Sequence, residues 1–181
     1  MSKINKNINE KNSELPMNVV YEVIERKKNL NNTQSSLSFI LIGDSTVGKT
    51  CFLTRYFKNQ FTELFLSTIG IEKESKNFRI GKDNYKITLW DTAGQERFKC
   101  LPRKYYQNAD GILLLFDVCS DDTFNNVSNW INDVKENSTK RITSDGQEYE
   151  ILLFLIGNKI DKSSERKVTR KQAEELAQSL G

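Results

Sequence analysis

Hydrophobic residues after position 36 fall into short runs separated by longer segments of mixed polarity. Five of these runs have the length and apolar content of β-strands, and they cover residues 37–42, 74–80, 85–90, 112–117 and 151–157. Most of the runs are nearly unbroken apolar stretches rather than alternating ones. That pattern is typical of strands covered on both faces of a sheet.

The segments between these runs predict helices that begin near Lys49, Arg97, Thr123 and Thr169. Thr169 lies three residues before Gln172, which is the spacing of a helix-capping box.

Residues 81–84 read Gly-Lys-Asp-Asn, a turn cluster that predicts an antiparallel hairpin between the second and third strands. The remaining strands are separated by helices and are predicted to be parallel. The fold class is therefore α/β, with a mostly parallel doubly wound sheet and one antiparallel edge hairpin.

Residues 1–36 are rich in Asn and Lys and show almost no apolar periodicity. They are interpreted as a flexible N-terminal extension ahead of a domain that covers residues 37–181. Only residues 19–24 form an apolar cluster, which could become a helix or a strand on docking. A partner-binding role for the extension is the alternative.

The composition limits the class of protein. Hydrophobic residues make up 37% of the chain and charged residues 28%, with a mean hydropathy of −0.59. No apolar run approaches the ~20 residues that cross a bilayer, and no signal peptide is evident, so a cytoplasmic location is expected. The net charge of +3 is not concentrated in a basic block, which gives no support for a nucleic-acid partner.

The sequence contains three cysteines and no histidine. Three scattered cysteines indicate reduced thiols rather than a disulfide framework or a zinc site. The absence of histidine excludes every histidine-based catalytic triad, metal site and general base. Chemistry must therefore depend on backbone amides, Lys, Asp, Thr and Gln.

The segment directly after the first strand fits the phosphate-binding pattern G-x-x-x-x-G-K-[ST] in its strand, loop and helix context. It reads Gly43-Asp44-Ser45-Thr46-Val47-Gly48-Lys49-Thr50. Glycine allows backbone N–H groups to turn toward a phosphate chain, and the following helix adds the positive end of its dipole. Lys49 is expected to reach the outer phosphates, and Thr50 to place its hydroxyl on Mg²⁺.

The fifth strand is followed by Asn158-Lys159-Ile160-Asp161 at the carboxyl end of the sheet, where ligands bind in such folds. A carboxylate only accepts hydrogen bonds. Guanine offers two adjacent donors and adenine does not, so Asp161 indicates guanine. The third strand leads into Asp91 and Gly94, which could hold Mg²⁺ and donate a backbone N–H to a terminal phosphate.

At this point the sequence resembles the Ras superfamily of small GTPases, and the Rab branch in particular. The resemblance covers residues 37–181 and rests on motifs in a shared order: the phosphate-binding loop, Ser67-Thr68-Ile69-Gly70, Trp90-Asp91-Thr92-Ala93-Gly94-Gln95-Glu96-Arg97-Phe98, Tyr105-Tyr106, and Asn158-Lys159-Ile160-Asp161.

The resemblance implies the P-loop small-GTPase fold and a set of functional residues. The catalytic residues implied are Gln95, which would orient the attacking water, with Lys49, Thr68 and Gly94. The Mg²⁺ ligands implied are Thr50, Thr68 and Asp91. The nucleotide-binding residues implied are Gly43, Asp44, Ser45, Thr46, Val47, Gly48, Lys49, Thr50, Cys51, Phe61, Thr68, Gly94, Asn158, Lys159 and Asp161. For Phe61, stacking on guanine and simple core packing both remain open.

The implied function is a GTP/GDP switch that hydrolyses GTP slowly and regulates membrane traffic. Its implied partners are an exchange factor, a GTPase-activating protein and effectors, with membrane attachment only through a lipidated tail on the cytosolic face of endomembranes. Two alternatives stay open: a guanine-nucleotide-binding module without turnover, and a P-loop enzyme that uses ATP.

The sequence departs from the family pattern in four places. Lys73 stands where relatives carry an aromatic residue that effectors touch, and Thr46 stands where glycine or another small residue is common. Residues 137–150 are longer than the usual link and are interpreted as a solvated loop or an interaction insert. The sequence shows no counterpart of the family's last strand, last helix, guanine-supporting loop and prenylated tail, so a C-terminally truncated domain or a degenerate paralogue is expected.

Overall fold

The computed structural model describes residues 35–62, 71–80, 83–92, 103–139, 141–142, 146 and 148–180. Its main sheet contains five strands: β1 (Ser35–Ile42), β2 (Ile71–Ile80), β3 (Asp83–Thr92), β4 (Gly111–Asp117) and β7 (Leu152–Asn158). Two further strands, β5 (Arg141–Ile142) and β6 (Glu148–Tyr149), pair with each other in a separate ribbon. The five predicted strands are therefore all present.

The strand order is β2-β3-β1-β4-β7, with β1 in the centre. β2 and β3 pair antiparallel, whereas β1 pairs parallel with both β3 and β4, and β4 pairs parallel with β7. This confirms the predicted edge hairpin and the parallel remainder. In the hairpin, Ile80 lies opposite Asp83, so the strands extend into the predicted turn cluster.

Five helices are described: α1 (Lys49–Lys58), α2 (Arg103–Asn108), α3 (Asp121–Asn125), α4 (Val127–Asn137) and α5 (Arg170–Leu180), with a short 3-10 turn at Ser163–Glu165. The predicted start at Thr123 lies inside α3, which begins at Asp121 because the Ser120 side chain caps it. The predicted start at Arg97 lies outside the described residues.

The capping box before α5 is confirmed. Backbone N–H of Thr169 donates to Gln172 Oε1 at 2.9 Å, and backbone N–H of Gln172 donates to Thr169 Oγ1 at 3.3 Å. The two backbone N–H groups have no acceptor within the helix, and each is instead paired with the side chain of the other residue. The local sequence therefore sets where this helix begins.

Both faces of the sheet are covered at β1, whose successive side chains point to opposite sides. Phe39 and Leu41 of β1 pack with Leu53 of α1 on one side, whereas Ile40 and Ile42 pack with residues of α4 on the other. All four β1 side chains are buried. Complete burial of an aliphatic or aromatic side chain contributes about 1.5–3 kcal/mol, so this strand anchors the domain.

β4 and β7 have similar apolar sequences but different surroundings. Residues 111–116 of β4 are buried, because β4 has neighbouring strands on both sides. Every residue of β7 is half-buried, because it is the last strand of the described sheet.

The ribbon of β5 and β6 lies within residues 137–150, which the sequence predicts as loop. Arg141 pairs with Tyr149 and Ile142 with Glu148. Strands of two residues are too short to show the alternation on which a sequence prediction depends. β1 also begins at Ser35, two residues before the predicted start, because its pairing with β3 extends to Ser35 opposite Tyr85.

None of the helices in the described ranges combines the length and hydrophobicity needed to cross a membrane.

Candidate functional site

The loop that joins β1 to α1 has a glycine with positive φ at each end. Gly43 has φ +132° and Gly48 has φ +96°. A Cβ atom on Gly43 would lie 2.2 Å from the carbonyl oxygen of Leu115, which is backbone and cannot move aside. Both the conformation and the space therefore require glycine here, which explains the first glycine of the motif.

Lys49, the first residue of α1, is buried inside this loop. Its ammonium group donates hydrogen bonds to the carbonyl oxygens of Gly43 and Asp44, each at 2.8 Å. The loop therefore curls around the lysine side chain. A cation is held at the centre of the ring of backbone groups, which is where a phosphate chain would be bound.

The first turn of α1 carries no acidic side chain of its own. Gly48 caps the helix without a side-chain hydrogen bond. The first N–H groups of a helix have no intrahelical acceptor. Together with the nearby Lys49 ammonium, they form a site suited to an anion.

Thr50 and Asp91 meet at the base of the loop, where the carboxyl end of β3 lies beside the start of α1. The Thr50 hydroxyl donates to Asp91 Oδ2 at 2.6 Å, and Asp91 is fully buried. A hydroxyl and a carboxylate are hard oxygen donors of the kind that Mg²⁺ binds. Within the described ranges, no three His, Cys, Asp or Glu side chains cluster to hold a metal. This pair therefore fits an ion that takes its other ligands from phosphate and water.

Asp44 is tied to the helices on the other side of the loop, a contact that the sequence did not predict. Its Oδ1 accepts hydrogen bonds from Asn126 Nδ2 at 2.7 Å and from Trp130 Nε1 at 2.8 Å. Asn126 stands between α3 and α4, and Trp130 belongs to α4. The only sequence signal was a tryptophan in a largely polar helix.

We expect Trp130→Phe to lower the free energy of unfolding by about 1–3 kcal/mol, because it removes a hydrogen bond to a charged acceptor and retains a ring. Urea unfolding measures this difference. Asn125→Ala, on the exposed side of α3, is the control, with an expected change below about 0.5 kcal/mol. Equal effects of the two substitutions would contradict a structural role for the tether.

Asn158 connects the phosphate-binding loop to the loop after β7. Its side-chain N–H₂ donates to the carbonyl oxygen of Val47 at 2.8 Å. A Cβ atom on Gly48 would lie 2.5 Å from the same nitrogen. The two predicted ligand-binding loops therefore lie against each other, and the asparagine is a brace between them.

Lys159, the next residue, forms an ion pair with Asp117. Its ammonium group lies 2.7 Å from Asp117 Oδ2, and backbone N–H of Cys119 donates to Asp117 Oδ1 at 2.9 Å. Asp117 ends β4 directly beside Asn158 of β7. Sequence reasoning missed Asp117, although an acidic residue at the carboxyl end of a buried strand was a usable signal.

Burial is the largest single influence on the pKa of Asp117 and acts to raise it. The hydrogen bonds and charge of Lys159, together with the Cys119 N–H, outweigh burial and hold this pKa below its ordinary value. The folded chain therefore favours the carboxylate. Its contribution to stability is complete above the ordinary Asp pKa of about 4 and is lost as the pH falls through the lower pKa of the folded state.

We accordingly expect the stability difference between the unsubstituted chain and Asp117→Asn to be constant from pH 5 to 8 and to shrink below about pH 4. Urea unfolding at a series of pH values measures it. Repeating the series in a Lys159→Met background should reduce the pH dependence. A difference that stays constant down to pH 2.5 would contradict the assignment.

The remaining predicted site residues lie around these loops. Asp161 is exposed after β7. Phe61 is 57% exposed, with the Arg55 guanidinium carbon 5.7 Å from its ring centroid, so it is not a core residue in the described structure. Cys51 is half-buried in α1, and its thiol lies 4.0 Å from the carbonyl oxygen of Thr62.

Thr46 occupies the centre of the phosphate-binding loop with φ +65° and an exposed side chain. A β-branched residue in the left-handed region is unusual and costs about 1–2 kcal/mol relative to a right-handed one. The departure from glycine at this position is therefore also a source of backbone strain. Ser45, beside it, is exposed.

Three predicted residues, Thr68, Gly94 and Gln95, lie outside the described residues. The two segments that contain them adjoin β2 at Ile71 and β3 at Thr92. Their predicted contacts with Mg²⁺ and with the terminal phosphate therefore stay predictions.

Most of this chain is similar in sequence to known proteins. Residues 38–181 match the family model described as "Ras family". Similar relatives include the Ras-related protein Rab-13 of Rattus norvegicus, 41% identical over 138 residues, and the GTP-binding protein ypt2 of Schizosaccharomyces pombe, 40% identical over 145 residues. These alignments cover 76% and 80% of this chain.

The chain spans 64% of the length of the rat Rab-13 relative and 68% of the length of ypt2. The Ras-related protein Rab-8A of Gallus gallus is 38% identical over 142 residues, which are 78% of this chain and 64% of that protein. The family model covers most of the chain, and the phosphate-binding loop, Asp91 and the Asn158 loop all fall within it. The chain therefore belongs to the Ras family, as a Rab-like member.

Proposed function

We propose that this chain binds GTP and GDP together with Mg²⁺, hydrolyses GTP to GDP and phosphate, and acts as a Rab-like switch in vesicle traffic. The observation that carries the proposal is the buried Lys49 ammonium inside a glycine-bounded loop, with the Thr50 and Asp91 pair at its base. Family membership supports the reaction class.

The described residues suit binding and orientation of phosphates rather than covalent catalysis. Lys49 and the N–H groups at the start of α1 would neutralise phosphate oxygens. Thr50 and Asp91, with Thr68, would hold Mg²⁺, which supplies positive charge to the phosphates when it is bound. Phosphoryl transfer requires mainly positioning and charge stabilisation from the protein, and this arrangement matches that requirement.

Gln95 and Gly94 complete the proposed site. A glutamine side chain is too weak a base to deprotonate water, so Gln95 would orient the attacking water and Gly94 would donate its N–H to the terminal phosphate. Hydrolysis should therefore be slow. An activating protein that supplies an arginine would accelerate it by about 10³–10⁵-fold.

Guanine would be bound by the loop after β7. Asp161 is exposed and accepts hydrogen bonds only, whereas Asn158 and Lys159 are used to brace the site through Val47 and Asp117. Phe61, with its exposed ring, is available to stack on the base.

GTP-dependent ordering of the segments around Thr68 and Gly94 would then be recognised by effectors. An exchange factor and an activating protein would be the other partners, at the cytosolic face of endomembranes.

Denaturing the purified chain and separating the released nucleotide by chromatography tests the binding proposal. Stoichiometric GDP or GTP is the expected result. Single-turnover phosphate release then tests hydrolysis, with Gln95→Leu expected to abolish it. ADP or ATP as the released nucleotide would overturn the guanine assignment. Bound guanine nucleotide without phosphate release would instead identify a binding module without turnover.

A further inference from the structure

The phosphate-binding loop between β1 and α1 contains a residue in a costly backbone conformation. Thr46 has φ +65°, and its side chain is exposed. Positive φ is unfavourable for a β-branched residue, because the Cβ atom comes too close to the following carbonyl oxygen. Such a conformation persists only where the surrounding structure fixes the chain around it. The neighbours of Thr46 in the loop must therefore be held by contacts with other elements.

Asp44, two residues before Thr46, is held by the α4 side of the domain. Its Oδ1 accepts hydrogen bonds from Asn126 Nδ2 at 2.7 Å and from Trp130 Nε1 at 2.8 Å. We call these two bonds the Asp44 tether. The side-chain N–H₂ of Asn129 donates to Asn126 Oδ1 at 2.6 Å. Because its oxygen is engaged there, the Asn126 amide directs its N–H₂ group toward the carboxylate.

Val47, directly after Thr46, is held by separate contacts. Its side chain is fully buried in the core cluster that includes Leu53 and Leu115. Its carbonyl oxygen accepts a hydrogen bond from Asn158 Nδ2 at 2.8 Å. Thr46 therefore lies between two anchored residues, and the tether supplies the anchor on its N-terminal side.

The Asp44 tether also acts on the group that would contact phosphate. The buried Lys49 ammonium donates to the carbonyl oxygens of Gly43 and Asp44, each at 2.8 Å. The carboxylate and the carbonyl group of Asp44 belong to one residue, so fixing the first restricts the second. Asn126 and Trp130 would therefore influence a bound phosphate chain through Asp44 and Lys49.

We propose that Asn126 and Trp130 are positioning residues, which hold the loop in its phosphate-binding conformation against the strain at Thr46. This role rests on the proposed function, since it requires that the loop binds the phosphates of GDP and GTP. Without the tether, the loop relaxes to conformations in which Thr46 has negative φ and Lys49 loses an acceptor. Nucleotide then binds only the fraction of chains that remain competent, and the apparent affinity falls by that fraction.

Glycine at position 46 separates the release of strain from a general loss of contacts. Glycine adopts positive φ without a steric cost, so Thr46→Gly removes the reason for the loop to relax. In the unsubstituted chain the tether already holds the loop, and the substitution should have little effect. In a chain without the tether it should restore binding. Such dependence of one site on another appears as non-additivity in a double-mutant cycle.

Calorimetric titration of GDP with Mg²⁺ into the nucleotide-free chain tests the proposal. We expect the tether variant, Asn126→Ala with Trp130→Phe, to bind GDP about tenfold more weakly. Adding Thr46→Gly should restore the affinity to within about threefold of the unsubstituted chain, and Thr46→Gly alone should change it less than about threefold.

Asn137→Ala is the matched control for destabilisation of α4. The Asn137 side-chain N–H₂ donates to Asp133 Oδ1 at 3.0 Å and to the Asp133 carbonyl oxygen at 2.9 Å. Its removal weakens the far end of the same helix and leaves the Asp44 tether in place. GDP affinity should therefore not change in this variant.

Full GDP affinity in the tether variant would overturn the proposal. It would also be overturned by a loss that Thr46→Gly does not restore, or by an equal loss in Asn137→Ala, because either result would show general destabilisation. If the double substitution prevents folding, Trp130→Phe alone should weaken binding about threefold and should show the same rescue by Thr46→Gly.

A second measurement requires no nucleotide. In NMR spectra, the one-bond Cα–Hα coupling of Thr46 reports the sign of φ. It should indicate positive φ in the unsubstituted nucleotide-free chain and move toward the value for negative φ in the tether variant. An unchanged coupling would overturn the positioning role even if GDP binds. The expected change in a chain that does not bind GDP would support the restraint on the loop and contradict the proposed function alone.

Discussion

Lys49→Met is expected to lower the affinity for GTP and GDP by at least about 100-fold, the largest effect of any substitution considered for this chain. The ammonium group is buried at the centre of the loop, 2.8 Å from the carbonyl oxygens of Gly43 and Asp44. A hydrogen bond to a charged group contributes about 1.5–3 kcal/mol, and one ammonium can donate to more than one phosphate oxygen. Methionine fills the same space without charge.

Calorimetric titration of GDP into the nucleotide-free chain measures this loss. Lys58→Met, at the other end of α1, is the matched control: Lys58 is exposed and pairs with Glu74, so nucleotide affinity should not change. Retention of full affinity by Lys49→Met would show that the loop does not bind phosphate through this residue.

Asp161→Asn is expected to lower guanine-nucleotide affinity by about 100-fold, because two charge-assisted hydrogen bonds from guanine are lost or weakened. Xanthine carries a carbonyl group in place of the exocyclic amine of guanine. The carboxamide of asparagine can donate to that carbonyl. We therefore expect the same substitution to raise the affinity for xanthosine diphosphate and to leave weak binding of ATP unchanged.

Competition assays with GDP, xanthosine diphosphate and ATP measure whether the preference of the chain shifts from guanine to xanthine. Asp161→Ala is the control, since it removes the acceptor and adds no donor, and it should weaken GDP binding without any gain for xanthosine diphosphate. If Asp161→Asn and Asp161→Ala lowered GDP affinity equally and neither raised the affinity for xanthosine diphosphate, the result would contradict direct recognition of the base by Asp161.

The parts of the fold that sequence reasoning predicted are those whose signal lies within one short segment. The phosphate-binding loop was predicted because its glycines, lysine and threonine are contiguous after an apolar strand. The box of Thr169 and Gln172 was predicted because both partners are three residues apart. Parallel and antiparallel pairing followed from the lengths of the connections.

The contacts that were missed join residues far apart in sequence. Asp44 accepts hydrogen bonds from Asn126 and Trp130, more than eighty positions away, and no local pattern indicates such a pair. The ion pair of Asp117 and Lys159 depends on the register of β4 against β7. The left-handed backbone of Thr46 was missed because threonine does not ordinarily adopt it. Contacts between side chains far apart in sequence are therefore less predictable than motifs of contiguous residues.

The brace from Asn158 to Val47 also affects how the native structure opens. Backbone N–H of Val118 donates to the carbonyl oxygen of Asn158, and backbone N–H of Lys167 and Val168 donate to that of Val118. Loops that are bonded to one another in this way open as one cooperative unit in native-state hydrogen exchange. Their slowly exchanging amides should therefore share one opening free energy, and Asn158→Ala should divide them into two groups that exchange independently.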